Sequence, residues 1–236
     1  MLKYFSKPNR ANNKIPKLIH RIWPGKDKIR IDYSGSIALF NRVFPEHTNV
    51  FWDGNSCEQF LKQFYPDHID LYSSLRSYAS KSDMIRYMVL NKYGGIYTDY
   101  DVILKNRRLL YKYLTSSHTC VLITEAILPE ESKEYFSKIP IREGVPEALI
   151  RVANYFICTE PGHPFFSEVI NEMLIRLRKF KDQIRDPYDV IFTTGPDVLS
   201  SVYDKYNSDV FLAPLKNSQK MILHTTDGLR GWRKVF

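Results

Sequence analysis

Residues Ala79–Leu104, ASKSDMIRYMVLNKYGGIYTDYDVIL, decide the fold of this chain. Apolar side chains recur at helical spacing through the first half, and Gly94-Gly95 ends the helix because glycine tolerates the backbone angles of a helix end. We predict the N-cap of this helix at Ser82. An apolar strand is predicted directly afterwards, over residues 96–104.

Two aspartates, Asp99 and Asp101, lie within the predicted strand. Side chains alternate between the faces of a strand, so both are expected on one face together with Tyr97. Neighbouring carboxylates repel each other, and a cation is therefore expected beside them. Mg²⁺ or Mn²⁺ takes such oxygen ligands together with substrate phosphates. A DxD pair alone is common, however, and ordinary turn or surface residues also explain it.

The preceding helix carries Asp83 and Arg86 three residues apart, hence on one face. A surface ion pair is the ordinary explanation for this spacing. Both residues directly precede the Gly-Gly turn, so the same end of the sheet is expected to gather all four charged groups. Arg86 offers a fork of donors suited to phosphate, and Asp83 is suited to accept from a ribose or sugar hydroxyl.

The remaining chain alternates strands and helices, which is the pattern of βαβ units in an α/β fold with a mostly parallel sheet flanked by helices. Before the central segment we predict strands at 14–23 and 49–52 and helices at 34–44 and 56–64. After it we predict strands at 119–127, 153–158, 210–214 and 221–224, helices at 164–181 and 197–205, and an irregular surface excursion at 129–147. No composition shift marks a boundary, so residues 1–236 are predicted to form a single domain.

The composition limits which kinds of binding partner and which cellular location are expected for this protein. The chain has 236 residues and a formal net charge of +8, which favours anionic partners. It lacks a recognisable basic helix or aromatic RNA-binding strand, so no nucleic acid is expected. Its three cysteines are widely spaced without a CxxC pair, which favours reduced thiols and a cytoplasmic location. No stretch reaches the roughly 20 apolar residues of a membrane span, so any membrane contact is expected to be peripheral.

Several motifs, taken in order, resemble those of one family. They are IPKLIHRIW at 15–23, SDMIRY at 82–87, GGIYTDYD at 94–101, NYFI at 154–157, GHP at 162–164, TGP at 194–196, His224 and Gly231-Trp232. This ordered set is similar to glycosyltransferase family 32, which includes capsular-polysaccharide enzymes and yeast initiating mannosyltransferases. The glucosyltransferase domains of large clostridial toxins share the pattern more distantly.

The resemblance implies a GT-A fold with a metal-dependent nucleotide-sugar site. Asp83, Arg86 and Asp101 would form the catalytic group. By position, the metal would be held by Asp99, Asp101 and His224; the donor would be bound by Ile22, Trp23, Asp83, Arg86, Tyr97, Asp99, Asn154 and Trp232. Trp23 would stack on the nucleobase, and Trp232 would close over the donor. The polar closing segment leaves Asp227 as an alternative to His224 as third metal ligand.

The predicted activity is retaining transfer of a sugar from a nucleotide-diphosphate donor, preferably a UDP-sugar, to a hydroxyl acceptor. The cofactor would be Mn²⁺ or Mg²⁺. The acceptor would be a glycan or lipid-linked glycan of capsule or lipopolysaccharide assembly, met at the anionic inner face of a membrane. Three alternatives remain open: an effector transferase that modifies a protein, a metal-dependent phosphohydrolase and a basic nucleic-acid-binding module.

Overall fold

The computed structural model describes residues 15–25, 34–142 and 149–225. In chain order its elements are β1 (Leu18–Trp23), α1 (Ser34–Val43), β2 (Thr48–Asp53), α2 (Gly54–Phe64), α3 (Ile69–Ser74), α4 (Tyr78–Tyr93), β3 (Gly95–Thr98), β4 (Val102–Leu104), α5 (Arg107–Leu114), β5 (Cys120–Ile127), α6 (Glu131–Ser137), β6 (Ile150–Val152), β7 (Phe156–Thr159), α7 (Pro164–Phe180), α8 (Pro187–Thr193), α9 (Pro196–Lys205), β8 (Val210–Ala213), α10 (Leu215–Met221) and β9 (Ile222–His224). Within these ranges, no helix is both long and apolar enough to cross a bilayer.

One seven-stranded sheet forms the centre of the fold, in the order β2-β1-β3-β7-β5-β6 with β8 also paired to β5. β1 runs parallel to β2 and β3, and β5 runs parallel to β8. β7 lies antiparallel between β3 and β5, and β6 is antiparallel to β5. The predicted α/β class is confirmed. β7 corresponds to the strand predicted at 153–158 and joins the two parallel groups; its antiparallel direction is a feature that the local sequence pattern does not predict.

Helices cover both faces of this sheet, and β5 shows why. Leu122 packs into one core cluster with α4 and α7, while Val121 and Ile123 pack into a second cluster with α1, α5 and α10. Because alternate residues of a strand point to opposite faces, a strand buried on both sides is apolar at every position. This two-sided burial explains the nearly continuous apolar run of β5.

Helix α4 begins five residues earlier than the sequence predicted. Its N-cap is Ser77, whose hydroxyl accepts a hydrogen bond from the Ala79 amide at 3.2 Å, so the predicted cap at Ser82 is wrong. The helix ends at Gly94 with φ +62°, followed by Gly95 with φ +101°. A Cβ on Gly94 would lie 2.6 Å from the Pro161 backbone nitrogen, which excludes every other residue there.

The predicted single strand over 96–104 is also wrong. β3 ends at Thr98, residues 99–101 form a turn, and β4 leaves the main sheet to pair antiparallel with β9. The predicted alternation of Tyr97, Asp99 and Asp101 on one strand face therefore does not exist. The excursion at 129–147 contains α6 in place of an entirely irregular path.

Candidate functional site

The turn between β3 and β4 brings its two aspartates to a histidine from the far end of the chain. One ligand atom each of Asp99, Asp101 and His224 lies within 4.8 Å of the others. The pairing of β4 with β9 causes this arrangement, since Val102 lies opposite His224 in the register. The amide and hydroxyl of Thr225 both donate to the Asp101 carbonyl at 3.0 Å, which fixes the turn against β9.

A second charged group lies beneath this turn and is centred on Arg86. Its Nη1 lies 2.9 Å from Asp83 Oδ1, and its Nη2 lies 3.2 Å from Asp99 Oδ1. Nη2 also donates to the Tyr97 hydroxyl at 2.9 Å, and the Tyr97 hydroxyl donates to Asp99. Arg86 and Asp83 are buried, so this guanidinium bridges a helix carboxylate and a turn carboxylate away from water.

Asp83 is held from two further directions. Asn154 Nδ2 donates to its Oδ1 at 3.1 Å, and Thr194 Oγ1 donates to its Oδ2 at 2.9 Å. The segment before β7 and the end of α8 therefore converge on one α4 side chain. The sequence predicted Asn154 as a site residue but missed Thr194, for which the only signal was its place in the TGP motif.

Tyr155, which the sequence does not predict as a site residue, contacts two members of the candidate metal-binding cluster formed by Asp99, Asp101 and His224. Its carbonyl accepts the Asp99 amide at 3.0 Å, and its ring stacks on His224 with centroids 4.0 Å apart. One residue therefore contacts both Asp99 and His224. Its position beside Asn154 in the NYFI motif was the available signal.

Burial and nearby charges shift the pKa values of the acidic residues and of His224 for different reasons. Burial raises the pKa of Asp83 to about 7, and Arg86 and Thr194 oppose that rise. Burial also raises the pKa of Asp99, against the opposing charge of Arg86. Burial alone would lower the pKa of His224, but its hydrogen bond to Asp101 and the nearby carboxylates raise it. His224 Nε2 lies 3.3 Å from Asp101 Oδ1, so these two side chains can either pair with each other, when His224 is protonated, or hold a divalent cation together.

A further carboxylate, Glu125, was missed by the sequence reasoning. It lies on β5 where the register with β6 shifts, and such bulges re-aim side chains. Burial raises its pKa, while the charges of Arg151 and His224 act in the opposite direction. Its carboxylate makes no hydrogen bond or ion pair within the part of the chain that the structure describes.

The predicted nucleobase residues lie at the end of β1. Trp23 is half-buried beside Gly25, whereas the Ile22 side chain is buried in the core with Trp52. His20 is structural: Trp52 donates to its Nδ1 at 3.2 Å, and its Nε2 lies 2.9 Å from the Gly94 carbonyl. Trp232 and Asp227 lie outside the described residues.

Sequence and structure comparisons show which known proteins this chain resembles. Residues 36–120 match the family described as "Glycosyltransferase sugar-binding region containing DXD motif". Over 81% of its length, the chain is 28% identical to a mannosyl phosphorylinositol ceramide synthase of Saccharomyces cerevisiae. Over 69% it is 29% identical to an uncharacterized glycosyltransferase of Acanthamoeba polyphaga mimivirus. Over 81% it is 26% identical to an inositol phosphoceramide mannosyltransferase of Schizosaccharomyces pombe.

The alignments cover 43%, 57% and 46% of those three relatives, so the chain spans about half of their length. Among solved structures, the PaToxG glycosyltransferase aligns with a TM-score of 0.50 at 18% identity, covering 82% of this chain and 70% of that one. This similarity confirms the predicted GT-A fold. The fold and the segment 36–120 therefore resemble those of DXD-motif glycosyltransferases.

Proposed function

We propose that this protein transfers a hexose from a nucleoside-diphosphate sugar to a hydroxyl acceptor, using a divalent cation held by Asp99, Asp101 and His224. One observation carries the proposal: three ligand atoms lie within 4.8 Å of one another, directly above a buried arginine that already holds one of the carboxylates. A surface DxD pair would have neither the third ligand nor the arginine.

The three side chains fit a divalent cation. Two carboxylates and one imidazole supply oxygen and nitrogen donors, and substrate phosphates and water would complete the coordination. We propose Mn²⁺, with Mg²⁺ as the alternative. When bound, the cation would neutralise charge on the leaving diphosphate as a Lewis acid. Asp99, Asp101 and His224 would hold the cation, while Tyr155 orients His224 by stacking.

For Arg86 we propose a positioning role beside the donor-binding and catalytic role that the sequence predicts. Its guanidinium is already engaged by Asp83, Asp99 and Tyr97 inside the protein. We therefore assign it as a positioning residue, which fixes Asp99 and contributes a permanent positive charge beneath the diphosphate. Asp83 lies within the same network and remains the proposed acceptor of a ribose or sugar hydroxyl.

The finer assignments of the donor site stay proposals. Trp23, with the Ile22 backbone beside it, would bind the nucleobase, for which uridine is favoured. Asn154 would line the sugar pocket and Trp232 would close over it. We also propose retention of anomeric configuration, with a diphosphate oxygen assisting deprotonation of the acceptor, by analogy with the family that the chain resembles.

The acceptor proposal uses the relatives' names. Two of the relatives are named for mannosyl transfer in inositol phosphoceramide chemistry, so we propose mannose as the sugar and a lipid-borne hydroxyl acceptor. A lipid-linked glycan at an anionic membrane surface satisfies the same chemistry. The capsule or lipopolysaccharide role and the cytoplasmic location remain predictions from the sequence.

A donor panel tests the proposed activity. Release of nucleoside diphosphate is followed with UDP- and GDP-sugars, with and without Mn²⁺ and a glycan acceptor. We expect acceptor-stimulated, metal-dependent release that falls about 100-fold or more in Asp101→Asn. The matched control Asp182→Asn, at a side chain 87% exposed, should keep the wild-type rate. Equal rates in both variants would contradict the proposal; phosphate release without any acceptor would indicate a phosphohydrolase.

A further inference from the structure

The two-stranded sheet of β4 and β9 exposes an apolar pair next to the metal-binding cluster. Ile103 and Leu223 lie directly opposite each other in the register and are 37% and 46% exposed. Their neighbours Val102, Leu104 and Ile222 face inward and are buried in the core. The outward face of this short ribbon is therefore apolar at its centre while its inward face is fully packed.

Positive charge is concentrated in the chain segments that contain this pair. Residues 102–124 and 210–225, which contain both strands and their flanking helices, include no aspartate or glutamate. They carry six exposed cations: Lys105, Arg107, Arg108, Lys112, Lys216 and Lys220. Arg107 and Arg108 lie in the first turn of α5, where the helix dipole disfavours cations. An anionic partner would offset this unfavourable placement.

A second exposed pair shows that apolar exposure alone does not distinguish the surface. Ile127 and Ile150 also face each other across β5 and β6, and they are 64% and 40% exposed. That pair is followed in the chain by the carboxylates Glu130, Glu131 and Glu134. Exposed apolar residues are therefore combined with nearby lysines and arginines at the β4–β9 face, whereas carboxylates follow the exposed pair of the β5–β6 hairpin.

We propose that the β4–β9 face docks this protein onto an anionic lipid bilayer. Ile103 and Leu223 would enter the headgroup region, and the surrounding lysines and arginines would contact lipid phosphates and carboxylates. β4 directly follows Asp101 and β9 ends at His224, so docking places the metal-binding cluster beside the bilayer surface. The docking stands without the proposed function; only the arrival of a lipid-borne acceptor rests on it.

Vesicle sedimentation tests this proposal on the full chain. The vesicles are phosphatidylcholine alone or phosphatidylcholine with about one third phosphatidylserine. One variant combines Arg107→Gln, Arg108→Gln and Lys220→Gln; the other combines Ile103→Ser and Leu223→Ser. Matched controls are Arg178→Gln, Lys179→Gln and Arg185→Gln for charge, and Ile127→Ser with Ile150→Ser for apolar exposure.

We expect wild type and both controls to bind the anionic vesicles, with binding weakened by salt. Each cation near such a surface contributes about fivefold, so the charge variant should bind about 100-fold more weakly. The Ile103/Leu223 variant should bind at least about tenfold more weakly. Removing Arg107 and Arg108 relieves the dipole conflict, so thermal unfolding of the charge variant at or above the wild-type temperature would exclude misfolding as the cause of lost binding.

Three outcomes would overturn the proposal: no binding of wild type to anionic vesicles, equal losses in the variants and their controls, or retention of a duplex DNA probe in place of vesicles. Asp101→Asn separates docking from the transfer proposal. It should dock like wild type while losing sugar transfer, so a failed activity assay leaves the docking result intact, and the reverse also holds.

Discussion

Asp99 and Asp101, the two aspartates of the turn between β3 and β4, differ in how the charge of their carboxylates is balanced. Asp83 and Asp99 share Arg86 beneath the turn, so their charge is compensated before any ligand arrives. Among the described residues, the partner of the Asp101 carboxylate is His224, whose charge depends on a proton. The two aspartates of this DxD motif therefore differ: Asp99 is held by Arg86 and Tyr97, whereas Asp101 pairs with His224.

The largest effect on stability is expected from removing the Arg86 guanidinium, which Asp83 and Asp99 share. Arg86→Met leaves Asp83 and Asp99 without their counter-charge in a buried site, which typically destabilises a protein by about 3–5 kcal/mol. Urea denaturation of the purified variant measures this loss in the free energy of unfolding. The matched control Arg178→Met, at an exposed position of α7, should change stability by no more than about 0.5 kcal/mol. A loss below about 1 kcal/mol in Arg86→Met would show that the network is not preformed.

His20 sharpens the comparison because it is buried without any charged partner. Burial lowers its pKa from 6.5 to about 4, so the folded state keeps it neutral while the unfolded chain takes up a proton. The contribution of neutral His20 to the free energy of unfolding is complete above about pH 6.5. It is lost as the pH falls toward 4, by at most about 3 kcal/mol.

The pH dependence is measured as the difference in unfolding free energy between wild type and His20→Gln. Glutamine can replace both hydrogen bonds but does not titrate, so the wild type should lose its advantage between about pH 6.5 and pH 4.5. His47, whose pKa burial also lowers to about 4, is unchanged in both proteins and cancels from the difference. A difference that stays constant with pH would contradict the neutral assignment.

A smaller effect is expected from Tyr97→Phe, which removes the hydroxyl between Arg86 and Asp99. Losing one buried hydrogen-bonded hydroxyl typically costs about 1–2 kcal/mol. Transfer activity should fall about tenfold because Asp99 is held less firmly. The control Tyr111→Phe removes an exposed hydrogen bond to Glu46 and should leave both quantities near wild type. Equal losses in the two variants would remove Tyr97 from the network.

The sequence predicted much of this site because most of it is local. Asp83 and Arg86 precede the Gly-Gly turn, and Asp99 and Asp101 follow it, so chain order alone brings them together. The reason given for Asp99 and Asp101 was nevertheless wrong, since a turn and not strand alternation places them. A local pattern cannot show that the residues after this turn leave the main sheet to pair with β9.

The features that the sequence does not predict share a physical cause, because each depends on residues that are distant in the chain. Thr194 lies 111 residues from Asp83, and its contact arises from the packing of α8 against α4. Tyr155 acts through stacking on a residue of the last described strand. The start of α4 was misplaced because a run of buried residues on all sides, Asp83 to Leu90, conceals helical periodicity. Family resemblance supplied His224, which spacing alone could not assign.

Titration of the metal-free protein with Mn²⁺ by isothermal calorimetry tests the central claim most directly, on wild type, Asp101→Asn and the control Asp182→Asn. We expect wild type and control to bind one Mn²⁺ per chain, with an affinity that UDP or GDP increases. The Mn²⁺ affinity of Asp101→Asn should be at least about tenfold weaker. Asp101→Asn should unfold at the wild-type denaturant concentration without metal. Equal Mn²⁺ affinity in all three proteins would contradict the assignment of Asp99, Asp101 and His224 as the metal site.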